Sequence, residues 1–177
     1  MSEENDPNEQ QVKGYERMLE RLRERMSEAG EQIEHGFQTA IDQVRERSIE
    51  LGELSREEAD KVAQWLQRDI EDAAEYVETT RGTYSDWLHM DLQLVERWAW
   101  DQFSSVADQT RLQWQAFNQE LQAAARYHTG EITGPGTLVC RDCGEHLVFK
   151  RVGHIPPCPQ CHGSRFERAA RQSNGGA

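Results

Sequence analysis

The sequence predicts a mainly α protein: an elongated antiparallel helical hairpin or bundle, followed by a small β module at the C-terminus. Three observations predict it. Apolar residues recur at a step near 3.6 through most of the first 127 residues, the period of one helix face. Only 36% of residues are hydrophobic while 29% are charged, a balance that suits thin helices with much surface better than one spherical core. All four cysteines fall between Cys140 and Cys161, which sets the C-terminal end apart chemically.

The first eleven residues, MSEENDPNEQQ, are acidic and carry no apolar stripe, so residues 1–11 are expected to be disordered. They also lack the positive start and apolar run of a secretory signal. From Tyr15 the stripe runs through Met18, Leu22, Met26, Ala29, Ile33, Phe37, Ala40 and Val44, eight steps over 29 residues. That period describes one almost straight helix rather than the strict heptad that supercoils. Gly30 and Gly36 weaken it and allow a bend there. Leu51-Gly52 should end it, because glycine is the usual residue just past a helix C-terminus.

LSREEAD follows. Ser55 is a good N-cap and Glu58 can bond back to it, which completes a capping box. Behind the box Ala59, Val62, Leu66, Ile70, Ala73 and Val77 form a second stripe, closed near Gly82. A third helical region starts near Thr83–Ser85 with Tyr84, Leu88, Leu92, Val95, Ala99, Phe103 and Val106, and Trp114, Phe117, Leu121 and Ala124 continue it. The polar run DQFSSVADQT between these stripes predicts a break, either a kink or a fresh N-cap at Asp108. Helices joined by such short connections fold back antiparallel, so residues 12–127 form one helical domain. The Gly/Pro-rich stretch YHTGEITGPGT reads as a linker over residues 128–136.

The cysteine pattern is Cys140-x2-Cys143, 14 residues, then Cys158-x2-Cys161. Two residues between thiols let a tight turn present both sulfurs to one cation, and the spacer can hold a hairpin that returns the chain. Tetrahedral Zn²⁺ takes four such thiolates. Thr137–Val139, Leu147–Phe149 and Phe166 read as the strands of a zinc ribbon over residues 137–170, with residues 171–177 a disordered tail. One structural zinc is therefore expected, held by Cys140, Cys143, Cys158 and Cys161. With four thiolates bound it has no open position for water or substrate. Two disulfides or a redox CxxC pair are the alternatives, and iron is the competing metal because CPQC resembles a rubredoxin knuckle. So small a module draws most of its folding energy from the metal.

The segments LSREEADKVAQWLQRDIEDAAEYVE, ADQTRLQW, YHTGEITGPGTLVCRDC and CPQC together resemble the bacterial YbeL-like zinc-ribbon-containing proteins. The resemblance covers most of the chain and implies helices followed by a zinc ribbon with those four cysteines as ligands. It implies no activity, because the family is a domain of unknown function. The second knuckle reads CHG where ribbons often have CG, which puts His162 beside the site.

Other candidates have plainer readings. His128 suits a turn-stabilising hydrogen bond, His89 a solvated helix face, and His154 and His162 would ligate only if a cysteine were missing. Glu57, Glu58, Asp60, Asp69, Glu71 and Asp72 read as solvated faces. The lone Glu31-x-x-Glu34-His35 stretch does not repeat as a di-metal bundle requires. Trp98 and Trp100 are two residues apart, so they cannot share one stripe. Together with Trp65 they read either as partner or self-association sites or as packing on a wide helix face.

Residues 1–129 carry 14 Lys+Arg against 28 Asp+Glu, and residues 130–177 carry 6 against 4, within a net charge of −12. The ribbon's Arg141, Lys150, Arg151, Arg165 and Arg168 could cluster, and an acidic body repels nucleic acid, although Lys150, Arg151, Arg165, Arg168 and Arg171 leave a nucleic-acid-associated ribbon as the second reading. No nucleophile–base pair, cofactor loop or open metal position points to an enzyme. No stretch approaches the ~18 apolar residues a membrane span needs. The sequence thus predicts a cytoplasmic, non-enzymatic interaction protein with reduced thiols, an unidentified protein partner and a homo-oligomer through its helices as an option.

Overall fold

The computed structural model describes residues 6–29, 36–80, 83, 97–114 and 127–169. Among them are four helices, α1 (Pro7–Ala29), α2 (Gly36–Glu50), α3 (Arg56–Thr80) and α4 (Arg97–Trp114). Six short strands follow: β1 (Tyr127–His128), β2 (Ile132–Thr133), β3 (Gly136–Cys140), β4 (His146–Phe149), β5 (Gly153–His154) and β6 (Arg165–Arg168).

α1 starts inside the stretch expected to be disordered. Asp6 caps it, its Oδ1 accepting from the Asn8 amide at 3.0 Å, and Pro7 occupies the first helical position, where its missing N–H costs nothing. Residues 7–11 are therefore helical.

The single straight helix of the sequence reading is two helices. α1 and α2 lie antiparallel, with Arg21 reaching Ser48 and Arg25 reaching Gln43. The chain reverses between Ala29 and Gly36, across the two glycines that permitted a bend. Both halves keep their stripes buried, Tyr15, Met18, Leu22 and Met26 on α1 against Phe37, Ala40 and Val44 on α2.

α2 ends as its glycine demands. Gly52 has φ +66°, its amide bonds to Ile49 O and the Glu53 amide to Ser48 O, both at 3.0 Å. That is a Schellman closure. The capping box forms too: Ser55 N donates to Glu58 Oε2 at 3.0 Å and Glu58 N to Ser55 Oγ at 3.3 Å. Every apolar position of the expected second stripe, Ala59 through Val77, is buried on α3.

The expected break near Asp108 is absent: α4 runs unbroken through DQFSSVADQT. Two of its hydroxyls bond back within the helix, Ser104 Oγ donating to Trp100 O and Thr110 Oγ1 to Val106 O, each at 2.8 Å. Phe103, Val106 and Ala107 are buried on its inner face. Tyr84, Leu88, Leu92, Val95, Phe117, Leu121 and Ala124 lie outside the described residues. Trp65 and Trp100 are partly buried against the helical core, the wide-face packing of the two readings. Trp98 has no described side chain.

The strands form a four-stranded antiparallel sheet in the order β1-β6-β3-β4 and a two-stranded sheet of β2 and β5. β3, β4 and β6 are the three strands read from the sequence. The segment expected to be a linker is structured instead. It supplies β2, and its neighbour Tyr127 opens β1, with Tyr127, Ile132 and Thr133 all 0% exposed. Ile132 and Val152 join the helical core, while Tyr127, Leu138, Cys140, Leu147, Ile155, Cys158 and Phe166 pack a second core under the sheet. The ribbon is thus docked on the helices through a shared apolar seam. Its stability comes from that seam as well as from the metal centre.

Candidate metal centre

The β3–β4 hairpin and the loop before β6 bring the four cysteines together. Their sulfurs all lie within 4.8 Å of one another, with Cys140 Sγ 3.6 Å from Cys161 Sγ and Cys143 Sγ 3.5 Å from Cys158 Sγ. A disulfide would need about 2.05 Å, and all four are free thiols. A tetrahedron with Zn–S bonds near 2.3 Å has sulfur–sulfur edges of about 3.8 Å, so the set is sized for one tetrahedral cation.

The two knuckles are built alike. Cys140 N donates to Glu145 O at 2.8 Å and Cys158 N to Gly163 O at 2.9 Å. Gly144 N donates to Cys140 O and His162 N to Cys158 O, each at 2.9 Å. Gly144 and His162 therefore hold equivalent positions, and both have positive φ, +80° and +59°. His162 is a left-handed turn residue, the role glycine plays in the first knuckle. Among the described residues the ligand-type cluster contains the four cysteines and no histidine. A side chain on Gly163 would meet Asp142 Oδ2 at 2.5 Å and Cys161 Sγ at 3.2 Å, so this glycine lets the two knuckles close.

The donor set asks for a cation. The Glu145 amide pulls the Cys143 thiol down, but desolvation and the three other thiols push it up to about 12. Desolvation opposes ionisation of Cys158, yet the Cys161 and Gln160 amides and the neighbouring thiols bring it down to about 7. Four sulfurs this close resist carrying four negative charges together, and a divalent ion among them removes that obstacle.

The family model described as a zinc-ribbon containing domain matches residues 17–170. The chain belongs to that family. It is also similar to the uncharacterized protein YbeL of Escherichia coli K12, 31% identical over 115 residues, which are 65% of this chain and 71% of the relative. The YbeL proteins of the O6:H1 and O157:H7 strains match to the same extent. No solved structure matches the chain. In this zinc-ribbon family member, Cys140, Cys143, Cys158 and Cys161 form a centre compatible with one structural zinc ion. When bound, that ion supplies cross-linking of the two knuckles.

A buried ionic cluster joins the ribbon to α3, and sequence reasoning missed it. Asp69 and Asp72 are not solvated: they are 0% and 3% exposed. Asp69 Oδ2 accepts from Tyr15 Oη at 2.8 Å and from the Gly134 amide at 2.7 Å. Its Oδ1 accepts from Arg68 at 3.0 Å. Arg68 also reaches Ile132 O at 2.8 Å, pairs with Glu131, and lies 3.9 Å from the Tyr127 ring centroid. Arg168, on β6, donates to Thr133 Oγ1 at 2.7 Å, Tyr127 Oη at 3.1 Å and Pro135 O at 3.3 Å. Burial works against the Arg168 charge, but Tyr127, Asp69 and Asp72 hold its guanidinium above its ordinary value. Burial, reinforced by Asp69, raises the Tyr15 hydroxyl well above the usual phenol range. A signal existed in the sequence: Asp69 and Asp72 stand three apart, flanking the apolar positions Leu66, Ile70 and Ala73.

This cluster also corrects the basic face. Arg168 is 0% exposed, Arg165 pairs with Asp142 at 2.6 Å and Arg141 with Glu167 at 3.8 Å. Lys150 and Arg151 remain exposed, and Arg171 lies outside the described residues. Glu57, Glu58 and Asp60 do sit at the surface or its margin, while Glu71 is partly buried. His128 stabilises a turn through its backbone, its amide donating to Glu131 Oε2 at 3.0 Å and its carbonyl accepting from the Glu131 amide at 3.2 Å. His154 ties the ribbon to the start of α1, its ring nitrogens 3.2 Å from Gly130 O and 3.0 Å from Asn8 O. Glu31, Glu34, His35 and His89 lie outside the described residues.

Proposed function

We propose that this zinc-ribbon protein is a non-enzymatic interaction module in which the metal fixes one rigid surface. The observation that carries this reading is the pairing of a closed four-sulfur centre with a ribbon docked on the helices by buried charges. All four donors come from the chain, so a bound zinc serves as a cross-link with no exchangeable position. The ribbon's buried Arg168 and the buried Asp69 and Asp72 of α3 hold its orientation against that helix, which is what a presenting scaffold requires. No described helix is long and apolar enough to cross a membrane. The acidic helices disfavour contact with a phosphate backbone, and Arg141, Arg165 and Arg168 are taken up by carboxylates.

The test is in-cell cross-linking of the full chain followed by mass spectrometry. The reading expects a discrete protein cross-linked through ribbon or helix residues. Reproducible turnover in hydrolase and redox screens, abolished by one non-cysteine substitution, would overturn it. Retention of the zinc-loaded chain on RNA or DNA, weakening steeply with salt, would overturn it as well.

A further inference from the structure

The sheet has two edges, and they differ. β1 is two residues long and its Tyr127 is sealed against Arg68 and Arg168. β4 is four residues long and, among the described residues, pairs with β3 on one side only. Cys140 donates to Glu145, so by antiparallel alternation Leu147 and Phe149 bond to β3, while the amides and carbonyls of His146 and Val148 face outward. Leu147 turns its side chain into the core under the sheet. Val148 turns outward and is 53% exposed, and only Leu51 is the other large apolar side chain so exposed among the described residues. The strand then runs into Lys150 and Arg151, both exposed and in no ion pair with a described residue. At its start stand Glu145 and the thiols of the metal centre.

We propose that β4 is a docking edge for an extended peptide of a partner protein, one carrying β-branched residues beside Val148 and carboxylates beside Lys150 and Arg151. The inference rests on the interaction reading above and names the surface and chemistry it uses. Main-chain bonds to His146 and Val148 supply the pairing, and a β-branched neighbour packs on the exposed Val148 face. Charge decides the occupant. Arg141, Arg165 and Arg168 are already matched with carboxylates, which leaves Lys150 and Arg151 to select an acidic sequence. The acidic helical body opposes such a peptide at long range, but at physiological ionic strength charges are screened over about 8 Å, so the cations at the strand end set the local sign.

The test uses the zinc-loaded full chain and a short synthetic peptide of alternating valine and threonine ending in a run of glutamates. A matched peptide ending in lysines is the control. The acidic peptide is expected to shift the His146–Arg151 resonances in NMR spectra and to slow exchange of the His146 and Val148 amides, with the lysine peptide silent. Lys150→Glu with Arg151→Glu should weaken binding by about tenfold while the metal content is unchanged. Val148→Pro, which removes one outward amide at an edge position that tolerates proline, should abolish it. Absence of binding overturns the proposal, as does equal binding of both peptides. Protection of His146 and Val148 in the protein alone also overturns it, by giving the edge to a segment of the same chain or, where the protection depends on concentration, to a second copy. If in-cell cross-links persist in the Val148→Pro chain, the docking edge fails while the interaction reading stands.

Discussion

Arg168 on the last ribbon strand and Asp69 on α3 face each other with both side chains 0% exposed, Nη2 to Oδ1 at 3.8 Å. Asp72 lies 3.7 Å from the same guanidinium. Breaking a buried pair by removing one partner leaves uncompensated charge and costs about 3–5 kcal/mol. Arg168→Met should lower the unfolding free energy by about that much in a urea titration. Arg168→Lys should recover little, because three separate nitrogens serve Tyr127, Thr133 and Pro135 and an ammonium lacks that planar fork.

Removing the metal should dismantle the ribbon before the helices. Among the described residues the helical core draws only Ile132 and Val152 from the ribbon side, whereas the core under the sheet includes Cys140 and Cys158 themselves. Purified protein is expected to contain one zinc per chain by elemental analysis. A strong chelator should make all four thiols reactive and lower the thermal midpoint, while most helical circular dichroism persists. Cys143→Ser should reproduce the chelated state. Full loss of helical signal on chelation would show that the helices depend on the metal too.

Two carboxylates should give opposite pH signatures. Arg21 bonds both oxygens of Glu53 at 2.7 Å and holds its carboxyl below the usual range. An unfolded glutamate titrates near about 4.3, so this pair contributes fully above that pH and is lost as pH falls through the depressed folded value. Glu53→Gln should therefore destabilise at neutral pH, with the difference from wild type closing in acid. Glu71 is the reverse case, because burial raises its carboxyl despite a bond from Gln67. Its contribution is full below about pH 4.3 and lost as pH rises through the raised value. Glu71→Gln should stabilise at neutral pH and give no gain in acid.

What the sequence revealed was local, and what it hid was long-range. The capping box at Ser55, the Gly52 closure and both cysteine knuckles are set by residues within a few positions of one another, so each could be read directly. The turn between α1 and α2 was hidden because Met26 and Phe37 stay in phase with a single 3.6-residue stripe, and phase does not register a reversal. Asp69 and Asp72 looked solvated because Arg168, Thr133 and Gly134, which account for their burial, lie far along the chain. YHTGEITGPGT looked like a linker from its glycines and proline, although Tyr127 and Ile132 are buried anchors and Gly134 is there for close approach. A side chain on Gly134 would come within 3.3 Å of Tyr15 Oη.

Gly14 tests packing against helix propensity. It sits inside α1, where alanine would ordinarily gain about 1 kcal/mol. A methyl there would come within 2.7 Å of Leu54 Cδ1, and Leu54 is buried in the turn between α2 and α3. Overpacking costs about 1–3 kcal/mol, so Gly14→Ala should destabilise in thermal unfolding. A gain would mean that Leu54 can move aside.

The matched knuckles allow a paired experiment on backbone strain. His162 has φ +59° and Gly144 φ +80°, and a side chain on Gly144 would touch nothing within 4 Å, so conformation alone decides the Gly144 substitution. Holding a non-glycine residue in the left-handed region costs about 1–2 kcal/mol. Gly144→Ala should cost about that amount. His162→Gly should relieve the strain, offset in part by the greater unfolded-state entropy of glycine, for a net gain under about 1 kcal/mol. Both variants should keep one zinc per chain, because neither residue belongs to the four-sulfur cluster. Should His162→Gly lose the metal, His162 would be holding the centre through its side chain, and its equivalence with Gly144 would fail.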